Sequence, residues 1–467
     1  MASIDLAGLQ DQARRVLQAN RVTAARGRYT RPAPHTYPHQ WLWDSCFHAR
    51  VYLLLGDDQY ARDELRALFR EQVQSGVDAG RLPHMTFLGA DAADLSQDPE
   101  AKAAYARDAA LFASPRASNI TQPPIVAETV YLFKDATFWR ELWEPLCRYY
   151  DWWMRRRNPR ADHLYVQWHL WEGGADATPR GDEACARLLA SGRRARALEW
   201  QTVNPTAKKR QDMLAARFLM LEDLQTVDAA EAQGELSEAE ADRRRLALWG
   251  HIAIDMQAYL MANLNALAQI GAALGETESS RRYAAEARAI AEATNATLWD
   301  EEAGFYFDRF GDPARSARVM THAPFIALYA GDIVPKERAE RLLRHLLDPA
   351  RFWTRWPVPT TARSEKAFDP DDYWRGSTWI NVNWFAVNGL ILAARRFDDE
   401  RYLRPARVIA RNTIELVNDL GFREFYRAGA LRSEDDAAAE PMGFGPRSFG
   451  WTGLVLDIAR ILDTELR

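Results

Sequence analysis

Two acidic residues sit in surroundings that could make a carboxyl group a catalyst. Asp176 lies in the run Trp171-Glu172-Gly173-Gly174-Ala175-Asp176-Ala177-Thr178-Pro179-Arg180, and Glu440 heads the turn Glu440-Pro441-Met442-Gly443 shortly before Phe449-Gly450-Trp451-Thr452. A carboxyl beside Trp168 and Trp171 is partly desolvated, which raises its pKa and keeps it protonated as a general acid. A second carboxylate across the same mouth would activate water, and such a pair cleaves a glycosidic bond. Flat aromatic faces bind the C–H faces of a pyranose, and the segments His39-Gln40-Trp41-Leu42-Trp43-Asp44-Ser45 and Tyr373-Trp374-Arg375-Gly376-Ser377-Thr378-Trp379 supply them. Taken alone, Asp176 reads more readily as a turn or helix-capping residue, and Glu440 reads as a surface-loop acid. Glu424, in Phe422-Arg423-Glu424-Phe425-Tyr426, is the rival for the base, and the local pattern ranks Glu440 ahead of it.

The totals narrow the function classes. A chain of 467 residues with 47% hydrophobic and 27% charged residues has the composition of a globular protein with a large core. A formal charge of −5 leaves no basic excess for nucleic acid. The three cysteines, Cys46, Cys147 and Cys185, stand far apart, which argues against a disulfide framework and a zinc site. His35 and His39 are spaced HxxxH, but Pro34 and Pro38 oppose a helix that would bring them to one face, so no metal centre is expected. No GxGxxG, GxxxxGK[ST] or GxSxG occurs, which disfavours dinucleotide cofactors, phosphoryl transfer and a serine nucleophile. The start carries no basic and apolar leader, and no apolar run reaches the ~20 residues of a membrane helix. The expectation is a cytoplasmic enzyme without cofactor, acting on a small carbohydrate, with self-association left open.

Helical periodicity must position these residues. Trp43, Phe47, Val51 and Leu54 follow a helix face ending at Gly56; Leu260, Leu264 and Leu267 do the same before Gly275. Ser279–Leu298, Gly376–Phe397, Tyr402–Leu420 and Phe449–Leu466 also read as helices, Gly376–Phe397 being apolar on most sides as for an enclosed helix. Gly304–Asp308 is the one short extended piece. Repeated helix pairs predict an all-α (α/α)₆ toroid with its site at one open end, in a single domain over 1–467. Loop insertions are expected at 90–124 and 180–209, and the charged stretch Gln233–Arg245 as a solvated helix face.

The run Trp41-Leu42-Trp43-Asp44-Ser45-Cys46-Phe47-His48 resembles the opening motif of glycoside hydrolase family 63, in particular of its bacterial mannosylglycerate and glucosylglycerate hydrolases. The resemblance extends from Tyr37 to Leu462. It places the general acid on Asp176, with Ala177 and Thr178 where the family has Asn-Ser and Gly181 in place of a Trp. It places the base on Glu440 in the family's "Gly-Glu-Pro-x-Gly" turn. Tyr373-Trp374-Arg375-Gly376 with Trp379 and Asn381 matches most specifically. The resemblance implies one (α/α)₆ domain and an inverting α-glycosidase.

Candidate substrate-binding residues are Tyr37, Trp41, Trp43, Asp44 and Gln122 near the start and Trp171 and Arg210 in the middle. Tyr373, Trp374, Trp379 and Glu424 complete the set. Substrates of the resembled enzymes carry a glycerate carboxylate, for which an Arg fork is the natural partner, and Arg210 in Lys208-Lys209-Arg210 is the candidate. A trehalase-like or α-glucosidase activity on a neutral di- or oligosaccharide is the alternative, and a toroid-shaped sugar epimerase or isomerase a further one.

Overall fold

Inner helices buried on most sides, backed by amphipathic ones, organise the molecule. The computed structural model describes residues 5–34, 36–88, 99–193, 211–311, 315–429 and 440–466, leaving aside the side chains of 211–213. Helix Leu42–Leu54 buries every residue from Leu42 to Tyr52. The periodic face read from Trp43, Phe47 and Val51 is therefore only part of a helix enclosed all round. Ile254–Leu274 and Ile380–Phe397 are enclosed in the same way. Ile254–Leu274 stops where Gly275 takes the left-handed conformation at φ 81°, its N–H bonding the last turn. The segments 42–54, 126–131, 254–274, 323–329, 380–397 and 450–464 touch one another in that order, and the last packs back on the first. Outer helices Asp58–Leu68, Thr277–Thr297, Lys336–Leu346 and Leu403–Leu420 cover this ring. Leu403–Leu420 shows why they lie outside: Ala406, Ile409, Ala410, Thr413 and Val417 form one buried stripe. One hydrophobic core runs from Leu9 to Leu466. The fold is all-α, a helical toroid.

The strands are short and pair two by two, all antiparallel. The expected extended piece at 304–308 is there, as Phe305–Tyr306 and Asp308–Phe310. The pair that matters for the site joins Arg423–Tyr426 to Gly443–Arg447, with Phe444 opposite Phe425 and a register shift before Arg447. No helix among the described residues is long and apolar enough to cross a membrane.

Two expectations need correction. The region 90–124 is not all loop, since Pro99–Leu111 is a helix. Likewise Asp182–Leu189 is helical within 180–209, and residues 194–210 lie outside the described part. The charged stretch is only partly a solvated face. Arg245 is buried and bonds Asp228 (2.7 Å), Asp242 (3.0 Å) and Glu231, which also takes Arg156 at 2.9 Å. A guanidinium can turn inward there because three carboxylates meet its donors.

Candidate active site

The motif residues collect at the N-terminal ends of inner helices. Trp41, Ala253 and Trp379 are each extended residues from which the next residue enters a helix. Asp44 and Asp255 therefore fall in first helical turns, where the macrodipole favours a negative charge. Gln122 accepts the Trp43 backbone N–H through Oε1 at 3.1 Å, satisfying one of that helix's unpaired donors.

Asp176 lies on a loop built around Gly174, whose φ of 73° a side chain would rarely adopt and whose added Cβ would fall 2.6 Å from the Trp43 ring. The loop thus sits flat on Trp43. Behind it, Arg180 is buried and forks onto Asp255 (2.9 and 3.1 Å) while also bonding Asp308 (2.8 Å), which His251 contacts at 2.9 Å. Glu172 is wholly buried against Arg157 at 2.7 and 2.8 Å. Asp176, by contrast, is only partly buried. Burial pushes its pKa up to about 7, against the opposing charge of Arg217.

Glu424 is 4% exposed and accepts from the Tyr37 hydroxyl at 2.8 Å. Gly445 of the facing strand, at φ 71°, passes so close that a Cβ there would lie 2.4 Å from Glu424 Oε2. Asp44 ties the carboxylates together. Burial lifts its pKa well above the usual range, and the charges of Glu424, Glu64 and Asp176 push the same way. Asp44, Glu424 and Asp176 therefore share one neighbourhood. Glu440 is exposed ahead of the strand Gly443–Arg447, and its carbonyl oxygen accepts from Arg427 at 3.5 Å. Glu424 is thus buried while Glu440, ranked ahead of it by local pattern, is exposed. The Glu-Pro-Met-Gly turn leads into the edge of the strand pair, and it is the strand itself that carries an acid inward.

Aromatic rings wall this neighbourhood. Trp374 and Trp379 stack at 3.8 Å, Trp379 stacks on Phe425 at 5.0 Å, and Trp43 meets Trp451 edge-on at 5.2 Å. Both rings are fully buried, and Trp374 is the one that lines the pocket beneath the acid loop. Tyr37 stands edge-on to Trp41 at 5.6 Å, and Tyr373 to Trp379 at 5.1 Å. Trp171, half-buried, packs against Phe218 of helix Gln211–Ala232 and Phe112 just past helix Pro99–Leu111. Beneath the acid loop Trp43, Trp374, Asp255, Tyr259, His322 and Asn381 converge around one narrow pocket. Burial lowers the His322 pKa to about 4, so its ring is neutral at pH 7.

Arg210 lies outside the described residues. Two helical turns further on, in Gln211–Ala232, Arg217 is buried and close enough to Asp176 for its charge to act there. His169 donates to the Arg217 carbonyl at 3.0 Å and accepts the Trp171 N–H at 3.1 Å, which fastens this helix to the acid loop. Sequence reasoning missed Arg217, Asp255 and His322. Asp255 carried a weak signal, being an acid at the start of an otherwise apolar helix.

Residues 37–452 match the model of the mannosylglycerate hydrolase MGH1-like glycoside hydrolase domain. The chain is 30% identical to the mannosylglycerate hydrolase of Rubrobacter radiotolerans, covering 92% of this chain and 93% of that one. It is 26% identical to the glucosylglycerate hydrolase of Mycolicibacterium hassiacum, covering 92% and 94%. Among solved structures, it superposes on the family 63 mannosylglycerate hydrolase of Thermus thermophilus in complex with Tris and D-glycerate. The TM-score is 0.75 at 28% identity, covering 96% of this chain and 99% of that one.

Proposed function

The chain belongs to the mannosylglycerate hydrolase MGH1-like glycoside hydrolase family, and from that premise we propose that it hydrolyses an α-glycoside of glyceric acid with inversion, using Asp176 as acid and Glu424 as base. What supports the pairing is placement: Glu424 is buried and held by the Tyr37 hydroxyl, Asp176 stands on the loop seated on Trp43, and both lie near enough to Asp44 for their charges to reach it. Asp176, with a pKa near 7, holds the proton that a leaving glycosidic oxygen needs. As that proton transfers, the bond from the anomeric carbon to oxygen breaks. Water attacks the opposite face and gives its proton to Glu424, so the sugar leaves with inverted configuration. Solvent then returns a proton to Asp176 and removes one from Glu424. Asp44 accepts or donates to sugar hydroxyls, and Trp43 and Trp374 supply the flat faces.

The acidic aglycone rests on Arg217, a buried cation beside the acid. A glycerate carboxylate desolvated there loses its counter-charge in Arg217→Ala. kcat/KM for α-mannosyl- or α-glucosyl-D-glycerate is therefore expected to fall by roughly 2–5 kcal/mol in transition-state terms, while a neutral aryl α-glycoside is hydrolysed nearly as before. The comparison belongs at about pH 6, where Asp176 is mostly protonated. Equal losses on both substrates would assign Arg217 to the fold. Good wild-type activity on trehalose with no release of glycerate would favour a neutral substrate.

A further inference from the structure

The segment 369–376 touches both sides of the site through two matched forks. On the acid side, Arg375 binds Asp182 through Nη1–Oδ1 at 2.9 Å and Nη2–Oδ2 at 2.6 Å, and its Nη1 also donates to the carbonyl of Ala177, the residue after Asp176, at 3.2 Å. On the base side, Asp371 takes Arg427 through Nε and Nη2, both at 2.6 Å, and Arg427 directly follows the strand that carries Glu424. Between the forks the segment is closed on itself: the Asp369 N–H bonds the Arg375 carbonyl at 3.0 Å and the Arg375 N–H bonds the Asp372 carbonyl at 2.8 Å. Tyr373 is held at φ 38°, a conformation that persists only where its surroundings impose it. Just beyond, Thr378 exchanges both backbone bonds with Tyr426 at 2.8 and 2.9 Å.

We propose that segment 369–376 is a rigid spacer that sets the separation of the two catalytic carboxylates, with Arg375 and Arg427 as its positioning residues. The proposal rests on the reading of Asp176 as acid and Glu424 as base. Inversion needs a gap of ~6.5–9.5 Å, wide enough for the attacking water. Asp176 and Glu424 come from segments far apart in the chain, so something must fix that gap. Bidentate Arg–carboxylate pairs fix orientation as well as distance. Both forks are partly exposed, with side chains 16–39% accessible, and pairs so placed add little to stability. Their contribution is to geometry.

The test measures kcat, KM, Tm and the pH profile of Arg375→Ala, Asp182→Asn, Arg427→Ala and the swapped pair Arg375→Asp with Asp182→Arg. The substrate is whichever of α-mannosyl- and α-glucosyl-D-glycerate the wild type cleaves faster. A displacement of about 1 Å costs on the order of 10²-fold, so kcat is expected to fall by that order in both alanine variants, with KM and Tm little changed. In Arg375→Ala and Asp182→Asn water reaches the loosened acid, so the alkaline limb moves to lower pH. In Arg427→Ala it stays. The swapped pair recovers most of the loss. An unmoved limb with near-wild-type kcat in Asp182→Asn overturns the spacer, as does a fall in Tm that accounts for all lost activity. Asp176→Asn, run alongside, separates the two readings. Full activity there removes the acid assignment and the spacer with it, whereas its inactivity beside an unmoved limb and near-wild-type kcat in Asp182→Asn removes the spacer alone.

Discussion

Glu424→Gln is expected to lower kcat by roughly 10²–10⁴-fold, the contribution typical of a positioned general base, while Glu440→Gln leaves it nearly unchanged. The contrast follows from placement. Glu424 is buried, takes a hydrogen bond from Tyr37 and acts on Asp44, whereas Glu440 is exposed. Gln is nearly isosteric with Glu and can still accept from the Tyr37 hydroxyl, so the loss is one of basicity and not of packing. Steady-state rates with the two glycerate glycosides, beside circular dichroism to show that both variants fold, decide the matter. A large loss in Glu440→Gln with Glu424→Gln active would return the base to the turn before Phe449.

Asp176→Asn should reduce turnover by a similar factor, and two pH effects accompany it. Because the carboxyl must be protonated to act, wild-type kcat should decline as pH rises through about 7, where burial has placed its pKa. The second effect concerns stability. An unfolded Asp titrates near 3.9, so between that value and about 7 the folded state holds a proton that the unfolded state has lost. Stability therefore falls as pH rises across this window, because the unfolded state binds fewer protons there. Asn does not titrate. The Tm of Asp176→Asn should thus match the wild type near pH 4 and exceed it progressively towards pH 7. A wild-type Tm that holds level with the variant across that range would mean that Asp176 is not desolvated.

What the sequence made legible was local. Helix 42–54 could be read from Trp43, Phe47 and Val51 because burial imposes the 3.6-residue period, and the Gly275 stop from the backbone freedom a left-handed cap needs. Asp176 stood out by its tryptophan neighbours. The burial of Glu424 was not legible, since its partner Tyr37 stands 387 residues earlier in the chain. The turn Glu440-Pro441-Met442-Gly443 looks constrained in isolation, yet nothing local says that the strand at 423–426 turns its acid inward. Arg217 stayed hidden for the same reason: its helix is apolar on most sides, and only docking on the acid loop through His169 brings the guanidinium to Asp176. Arg375 was visible inside a motif, but its partner Asp182 lies 193 residues away.

The most direct test is a proton NMR time course of the purified protein with α-mannosyl-D-glycerate and α-glucosyl-D-glycerate. Free glycerate should appear together with the β-anomer of the sugar, ahead of mutarotation, as inversion by two separated carboxylates requires. Intact glycosides after prolonged incubation, or an α-anomer released first, would contradict the assignment.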